Sequence, residues 1–539
     1  MPRIGSGPDP TERASAHVGR RLITRRALFK GTISAALAGI GGAITARAQY
    51  TGLIPGGGVL PFRLPLGALN YLDQKQYISN MKIVSHLPEH TTAGGEPLMA
   101  MWAKGRQRLL PSGAGWVDVT DPTKPTFIST GRSRIGGCVA YNTRLKKWLM
   151  VSTATEPHAE RTPAAPFGQF DPEVHRRLQS YTGLRGIRVY DITNPFEPTL
   201  LSEFSTGKTG VGTHMNFYDG GRYAYLDAGW TDKLVHVEDV GRASGSALMI
   251  VDMADPEHVK EVSTYHVPGQ MIGEEDEYKK YWFADSRSAW TTSHGAPTVP
   301  VRVEDGGTVG YGGFGHFGMI CFDLSDIKSP KPYGIVRWDY ETLGGCPYHT
   351  CYPIIADSQH PKLQNLVIGV PETLQADCRE PYKSIQIIDV RNPREPRVIG
   401  VFPRPKPPAE APYADFCLSR GRFGSHNIQC WVAPGTSRPE IVVLSFFNAG
   451  VRVFDISEPT QPREVAYFIP PRGGKLEDYG TWFRGDSETV FIEWDRNLIW
   501  LGTHAGAYCL SCAALGEPVL EPRAIPHWTR PHLNAGWDV

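Results

Sequence analysis

Apolar and polar residues alternate with a period of two in short runs along most of this chain, and that period is typical of β-strands. Six of these runs share an ending, in which an apolar strand leads into Asp, another apolar residue and a turn that usually contains Pro. A carboxylate can accept hydrogen bonds from its own turn, and Pro fixes φ and ends a strand. The six endings lie at Asp118, Asp191, Asp252, Asp323, Asp389 and Asp455.

The repeats predict a closed ring of similar units. The Asp residues lie about 60–75 residues apart, a spacing that suits four-stranded propeller blades with insertions. A further strand usually precedes the shared ending, as in GRYAYLDAGW, and another follows it, as in PREVAYFIPP. A last unit, SETVFIEWDRNLIWLGTHAGAYCLSC, lacks the Asp–Pro ending, and we expect the ring to close there. The prediction is an all-β propeller with seven blades, with six or eight as alternatives.

The N-terminal segment reads as a targeting signal rather than as part of the fold. Thr24–Lys30 resembles a twin-arginine signal, Gly31–Thr45 is apolar but short, and Ala46–Ala48 gives an A-x-A cleavage site. The alternatives are an ordinary secretory signal or an uncleaved anchor. We expect a signal peptide at 1–48, an extension at 49–83, the propeller at 84–523 and a tail at 524–539, with a periplasmic or secreted product that has no membrane span after cleavage.

The composition fits one large chain with many tight turns. Its 539 residues are 41% hydrophobic, include 58 Gly and 45 Pro, and carry a formal net charge of +1. A charge near zero argues against a nucleic-acid partner. The nine cysteines could form disulfides in an oxidising compartment, either as Cys346–Cys351, as Cys509–Cys512 or across the ring, and the sequence leaves the pairing open.

Four histidines occupy the same place in four successive repeats, near the start of the first strand. Residues at one place in a closed repeat are related by rotation about one axis, so these imidazoles are expected to converge and to bind a metal. The four histidines are His214, His294, His349 and His426. Cys138 and Glu488 fall in the same column of the repeat, and His90 or Glu96 could represent the first unit. The alternative is a polar, water-filled channel lined by hydrogen-bonded histidines.

A second set of polar residues lies near the turn between the two middle strands of the repeats. Its members are Asp227, His316, Glu372, Asn448 and His504. They could fix the tautomers of the histidines or contact a substrate. Turn formation explains Asp227 and Asn448 well. We expect functional roles for His316 and His504, with Glu488 as a supporting carboxylate.

The Asp–Pro repeats from Trp116 to Pro462 resemble the LVIVD-repeat family of exported propellers, and the resemblance implies the propeller fold. The family includes binding proteins as well as enzymes, so it implies no one activity. A histidine-lined propeller channel is also similar in architecture to carotenoid cleavage oxygenases, which hold non-haem iron. Selenium-binding proteins and methanethiol oxidases, which hold copper, have a comparable arrangement.

Neutral imidazoles favour Fe(II) or Cu, with Zn as a further possibility, and disfavour Ca²⁺ and Mg²⁺. The chain has no G-x-S-x-G, P-loop or Rossmann fingerprint. We therefore expect an exported metal-dependent oxidoreductase acting on a small organic molecule. A zinc-type lactone or ester hydrolase and a non-enzymatic binding scaffold are the alternatives.

Four inserts are expected to build the substrate pocket, because long inserts on one face of a repeat array often form its binding face. The inserts are Thr155–Thr182, Thr231–Ser246, Gln270–Thr292 and Pro403–Gly424. The third is rich in aromatic residues, which favours an apolar or aromatic substrate. Alternatively, these aromatic side chains only pack the insert on the rim.

Overall fold

Seven four-stranded antiparallel sheets form the fold of the part of the chain that the computed structural model describes. The described residues are 65–88, 90, 101–131, 135–154, 182–208, 212–229, 233, 246–274, 276–277, 293–338, 346–473 and 485–530. Each sheet is a blade of a propeller, which confirms the predicted all-β fold and the count of seven. Helix in these residues is limited to α-helical residues 276–277 and to short 3-10 turns at Val303–Asp305, Gly315–Phe317, Pro361–Leu363, Phe416–Ser419 and Ala513–Leu515.

The strands run outward from the channel in chain order within each blade. Blade 1 contains β3 (Trp102–Lys104), β4 (Gln107–Ser112), β5 (Gly115–Asp118) and β6 (Thr126–Ser129); blade 2 contains β7 (Cys138–Asn142), β8 (Lys147–Ala154), β9 (Gly186–Asp191) and β10 (Thr199–Ser205); blade 3 contains β11 (Gly212–Thr213), β12 (Tyr223–Gly229), β13 (Ala247–Asp252) and β14 (Lys260–Tyr265). Blade 4 contains β15 (Gly295–Thr298), β16 (Val309–Phe314), β17 (Gly318–Asp323) and β18 (Lys331–Val336); blade 5 contains β19 (Cys346–Pro353), β20 (Leu366–Glu372), β21 (Gln386–Asp389) and β22 (Arg397–Val401).

The last two blades each take their outermost strand from the beginning of the chain. Blade 6 contains β23 (Ile441–Phe446), β24 (Gly450–Asp455), β25 (Arg463–Ile469) and β1 (Tyr77–Ser79); blade 7 contains β26 (Ser487–Glu493), β27 (Leu498–Thr503), β28 (Gly506–Cys512) and β2 (Met81–Pro88). The antiparallel pairing of β2 with β28 closes the ring in the unit where closure was expected. The first strand of the ring begins at Tyr77, ahead of the expected boundary at residue 84.

The six Asp residues of the shared ending each terminate a strand. In blades 1–5 this is the third strand counted from the channel, and in blade 6 it is β24, the second. In each copy the carboxylate accepts a hydrogen bond from the backbone N–H two residues later, as in Thr120 to Asp118 at 2.9 Å and Ser457 to Asp455 at 2.8 Å. Such a bond satisfies a donor that the strand can no longer pair, and it turns the chain towards the outer strand. The turn predicted from the sequence is confirmed in all six copies.

Burial depends on the distance of a strand from the channel. Every residue of β23 is buried, whereas the outermost strand β10 is mostly exposed or half-buried. The inner strands are buried on both faces because each blade packs against its two neighbours. Strict alternation of buried and exposed residues is therefore lost in the inner strands.

A disulfide joins Cys378 to Cys417, and the other seven cysteines are buried and form no disulfide among the described residues. Neither short-range candidate pair is bonded. Cys346 and Cys351 lie on β19, and Cys509 and Cys512 lie on β28. Residues three apart on an extended strand are about 10 Å apart, which is too far for a disulfide.

The twin-arginine segment, Glu96 and most of the first three inserts lie outside the described residues. The fourth insert, Pro403–Gly424, is fully described and approaches the histidines. Among the described residues, no helix is both long and apolar enough to cross a membrane.

Candidate metal centre

The four predicted histidines form one continuous row of rings around the channel. The ring centroids of His214 and His294 are 4.9 Å apart, those of His294 and His349 are 4.3 Å apart, and those of His349 and His426 are 4.9 Å apart. His294, His349 and His426 are buried, whereas His214 at the end of the row is exposed. The rotation of the repeat thus brings all four side chains together.

The inner strands hold these histidines next to irregularities in their pairing. The register of β15 against β16 shifts between Gly295 and Thr298, directly after His294, and that of β19 against β20 shifts between Cys346 and Thr350, around His349. Such bulges redirect side chains and are frequent beside functional sites. His426 lies on an irregular segment whose backbone pairs with β23, since its N–H donates to Ser445 O at 2.9 Å.

A glycine allows blade 4 to approach the backbone of His349. A Cβ atom at Gly313 would lie 2.7 Å from the carbonyl oxygens of both Tyr348 and His349. Any larger residue at Gly313 would push the two inner strands apart. The close contact between the rings of His294 and His349 therefore depends on this position.

Glu372, at the end of β20, places its carboxylate at the centre of the row. Its Oε2 is 3.3 Å from His294 Nε2 and 3.7 Å from His349 Nε2, and its Oε1 is 3.8 Å from His426 Nε2. One donor atom each from His294, His349 and Glu372 lie within 4.8 Å of one another. Oε2 is buried and has no hydrogen-bond partner among the described residues. An oxygen in this position, facing two imidazole nitrogens, fits a bound cation.

Positive charge surrounds this carboxylate. Burial raises the pKa of Glu372, but the charges of Arg422 and of the neighbouring histidines outweigh burial and lower the pKa to about 2. Arg422 is fully buried and pairs with Glu372 Oε1. Glu372 is therefore ionised at neutral pH, the form in which a carboxylate ligates a metal.

Two of the histidines have hydrogen-bonding groups at Nδ1. His349 Nδ1 lies 2.6 Å from Thr350 Oγ1, and His426 Nδ1 lies 3.2 Å from the backbone oxygen of Glu488. A hydrogen bond at Nδ1 fixes the orientation of the ring and leaves Nε2 available to bind a metal. In both residues Nε2 faces Glu372, as required for a ligand that binds through Nε2.

Glu488 and His504 form a pair beside this group. His504 Nε2 is 3.0 Å from Glu488 Oε2, and both side chains are partly exposed. Burial alone would lower the pKa of His504, but the hydrogen bond and negative charge of Glu488, with a contribution from Asp486, raise it. The sequence predicted that the carboxylate of Glu488 supports a ligand histidine. The structure instead places its backbone oxygen at His426 and its carboxylate at His504.

The remaining polar residues predicted near the site are all buried. Asp227 lies close enough to His214 for their charges to interact, and burial raises its pKa to about 7. Asn448 donates hydrogen bonds to Phe416 O, Ser419 Oγ and Arg420 O, and so holds the fourth insert in place. His316 lies in the 3-10 turn between β16 and β17.

Two other members of the predicted column do not offer ligands. Cys138 begins β7, but burial raises the pKa of its thiol to about 12, and its Sγ donates to Asn216 O. The ring of His90 stacks on Phe127 of the outermost strand of blade 1, at a centroid distance of 3.9 Å. His90 therefore does not fill the place of the first unit.

Sequence reasoning missed Arg422 and Phe447. The Phe447 ring stacks on His426 at a centroid distance of 4.8 Å, and the Arg422 guanidinium lies 3.9 Å from the centre of that same ring. Phe447 has φ 23°, an unusual value for a residue other than Gly. Such backbone conformations concentrate at functional sites. Neither residue belongs to a repeated motif, so the sequence carried no signal for them.

Residues 528–530 contact several blades at the end of the ring away from the histidines. Trp528 packs on Trp148 of blade 2, and Thr529 N–H donates to Ala433 O near blade 6. Arg530 pairs with Asp219 of blade 3 and donates to Pro300 O of blade 4 at 3.0 Å. A cavity of about 590 Å³ lies near this end, between blades 4 and 5, and none of the histidines lines it.

Comparisons with known proteins add no assignment. No model of a known protein family matches the chain, and no curated protein matches it in sequence. Among solved structures, 1015 chains match, and one of them is the crystal structure of Saccharomyces cerevisiae Sqt1. That structure has 8% sequence identity and a TM-score of 0.42, with 82% of this chain and 88% of that chain covered. The assignment of the fold therefore rests on the seven sheets described above.

Proposed function

We propose that this chain is an exported metal-dependent oxidoreductase whose metal is held by His294, His349 and Glu372, with His426 and His214 beside them. The observation that carries the proposal is the buried Oε2 of Glu372, which faces two imidazole nitrogens and has no hydrogen-bond partner among the described residues. Two histidines and one carboxylate with open positions are the donor set of non-haem Fe(II) oxygenases. Fe(II) is therefore the proposed metal, ahead of Cu.

When bound, such an iron supplies oxygen or electron-transfer chemistry, and the residues of the chain position the reactants around it. Arg422 holds the Glu372 carboxylate from the side away from His294 and His349. The pair of His504 and Glu488 is partly exposed and can hold a proton near the histidine row. Because residues 528–530 lie across the opposite end of the ring, a small organic substrate would enter from the histidine end.

Export also belongs to the proposal. A disulfide such as Cys378–Cys417 is typical of oxidising compartments and supports a periplasmic or secreted location. The six strands that end at Asp support placing the chain with the exported LVIVD-repeat propellers. A twin-arginine route, which carries folded proteins, suits a metal that is inserted before export.

Two carboxylates of the channel give a matched test of the metal site. Glu372→Gln removes a ligand and should lower the bound metal at least about tenfold. Glu488→Gln should keep the metal, because only the backbone oxygen of Glu488 faces a ligand histidine. Metal per chain is measured by elemental analysis after purification and after reloading with Fe(II).

Histidine variants give an independent comparison. His349→Ala should lose metal, whereas the exposed His258→Ala should not. Equal metal content in Glu372→Gln, His349→Ala and the unaltered protein would show that Glu372 and His349 are not metal ligands. Oxygen uptake with candidate organic substrates then tests the reaction class, and full turnover by a zinc-loaded, anaerobic sample would favour a hydrolase instead.

A further inference from the structure

Glu372 is the last residue of β20 and directly precedes one loop, and its partner Arg422 lies in a second loop that meets the first beside the histidines. The first loop follows β20 and spans 373–385, and the second is the insert Pro403–Gly424. The disulfide between Cys378 and Cys417 joins them. Cys378 lies only a short stretch of chain from Glu372, and Cys417 lies only a short stretch from Arg422.

Hydrogen bonds between the loops lie close to the pair of Glu372 and Arg422. Arg422 Nε donates to Thr373 O, and Thr373 Oγ1 donates to Phe423 O at 3.1 Å. Asp377 and Gly421 exchange two bonds, since Asp377 N–H donates to Gly421 O at 2.7 Å and Gly421 N–H donates to Asp377 Oδ1 at 2.8 Å. A shift of either loop would therefore move the residues that hold the carboxylate.

Both loops contain unfavourable backbone conformations next to the disulfide. Asp377, Cys378 and Arg420 have φ of 55°, 52° and 68°, in the left-handed region that residues with a Cβ rarely adopt. Such a conformation costs roughly 1–2 kcal/mol for each residue. It persists only where the surroundings hold it, and here the covalent bond is one of the restraints.

The environment of Cys417 favours opening of this bond. Cys417 is half-buried, and Arg404 Nη2 lies 3.5 Å from its Sγ. A guanidinium stabilises a nearby thiolate, and a stabilised thiolate is the better leaving group in thiol–disulfide exchange. A dithiol would attack Cys378 Sγ, and Cys417 would leave as the thiolate. The second thiol of the dithiol would then release Cys378, so that two electrons reduce the protein disulfide and the dithiol becomes a disulfide.

We infer that the Cys378–Cys417 disulfide is a redox-sensitive tie that keeps Glu372 and Arg422 in position, so that its reduction weakens metal binding at the histidine row. This inference rests on the proposed metal centre. It adds a condition under which the centre forms, namely an oxidising compartment. The chain would then hold its metal tightly only where the disulfide is intact.

The test is a titration of the full chain with Co(II), a metal whose absorption spectrum reports its ligands. Three samples are compared: the oxidised protein, the same protein reduced with a phosphine and desalted without oxygen, and the Cys378→Ser/Cys417→Ser variant. Reduction and the double substitution should each raise the dissociation constant for Co(II) about 10- to 100-fold, as expected when groups that orient ligands are disturbed. Circular dichroism should show intact strands in all three samples.

The same phosphine treatment of the double variant is the matched control and should change nothing further. If the oxidised protein binds Co(II) and the reduced protein binds it within twofold as well, the tie is overturned while the metal centre stands. If the oxidised protein binds no Co(II), the metal centre itself fails, and the tie fails with it. If the double variant does not fold, the comparison of the oxidised and the reduced protein is the test. Mass spectrometry then confirms that reduction has produced two thiols.

Discussion

At the scale of single residues, the feature that organises the site is one buried carboxylate among cations. Glu372 pairs with Arg422, and Arg422 lies over Phe447, whose ring stacks in turn on His426. Cation–π contacts gain strength when the cation is shielded from water. These contacts link the Glu372 carboxylate to His426 through Arg422 and Phe447. The proposed ligands are therefore positioned by these side chains as well as by the strands that carry them.

Removing the arginine should leave this carboxylate without its strongest partner. Arg422→Met is expected to destabilise the metal-free protein by about 3–5 kcal/mol, the usual cost of breaking a buried ion pair from one side. The double variant Arg422→Met/Glu372→Gln should recover a large part of that loss, because no charge then remains unpaired. Urea unfolding of the two variants measures the difference. Arg397→Met, at an exposed position, serves as the control, and equal stability of the single and double variants would contradict the argument.

The sequence could predict that the four histidines lie together, but it could not predict which of the other polar residues contacts them. Repetition places equivalent residues at equal heights around an axis, and that is enough to bring four imidazoles together. Glu372, Asp227 and His504 also share one place in the repeat. Asp227 lies near His214, whereas the carboxylate of Glu372 lies near His294, His349 and His426. The difference comes from Arg422, which lies in an insert without a counterpart in the other blades. The role of Glu488 was missed for a related reason, since a backbone oxygen leaves no trace in a sequence.

At the scale of elements, the repeated Asp that ends one strand in each of six blades shapes the turn that follows. Asp323 accepts hydrogen bonds from Ser325 N–H at 3.0 Å and Ser325 Oγ at 2.6 Å. Burial raises the pKa of Asp323, but these bonds and a hydrogen bond from Tyr333 outweigh burial and lower it. The Asp residues lie at the ends of strands and away from the histidines. The repeated Asp residues therefore indicate the propeller fold and give no information about a catalysed reaction.

Loss of one such carboxylate should weaken a single turn. Asp323→Ala is expected to cost about 1–2 kcal/mol, since at least one hydrogen bond to a turn N–H is lost. Asp323→Asn should cost less, because its amide oxygen can still accept from the backbone of Ser325. Urea denaturation gives both values, with the exposed Glu395→Ala as a control. Equal losses for Asn and Ala would mean that the carboxylate acts by its charge and not by capping the turn.

The sequence predicted which strands would form but not how the outermost ones pair. The period of two and the Asp endings locate the second, third and fourth strands of most blades. β1 and β2 lie before the first repeat, and each pairs with a strand near the other end of the chain. Local patterns carry no information about a partner so distant in sequence. The bulges beside His294 and His349 were missed too, because they depend on how neighbouring blades approach each other.

At the scale of the whole molecule, a buried ion network joins the last blade to the first. Glu493 of β26 accepts from Arg108 of β4 at 2.5 Å and from Arg496 at 2.6 Å, and Trp500 Nε1 donates to it at 2.7 Å. Arg496 also donates to Val119 O in blade 1 at 2.8 Å. If this interface opened, the first and last blades would no longer be covered by a neighbouring blade. The network therefore secures closure together with the pairing of β2 and β28.

This network should make closure of the ring sensitive to acid. Burial raises the pKa of Glu493, but Arg496, Arg108 and their hydrogen bonds outweigh it and lower the pKa from 4.5 to about 2. Because the folded pKa is the lower one, the stabilisation is complete above pH 4.5 and is lost as pH falls from 4.5 towards 2, by about 3 kcal/mol in all. Glu493→Gln should lower stability by about 3–5 kcal/mol at pH 7 and should remove this part of the acid dependence. Thermal unfolding from pH 7 to pH 2.5 measures both effects. Glu203→Gln, which breaks an exposed pair, is the control. Parallel pH profiles for Glu493→Gln and the unaltered protein would show that the interface between the last and first blades does not depend on this charge.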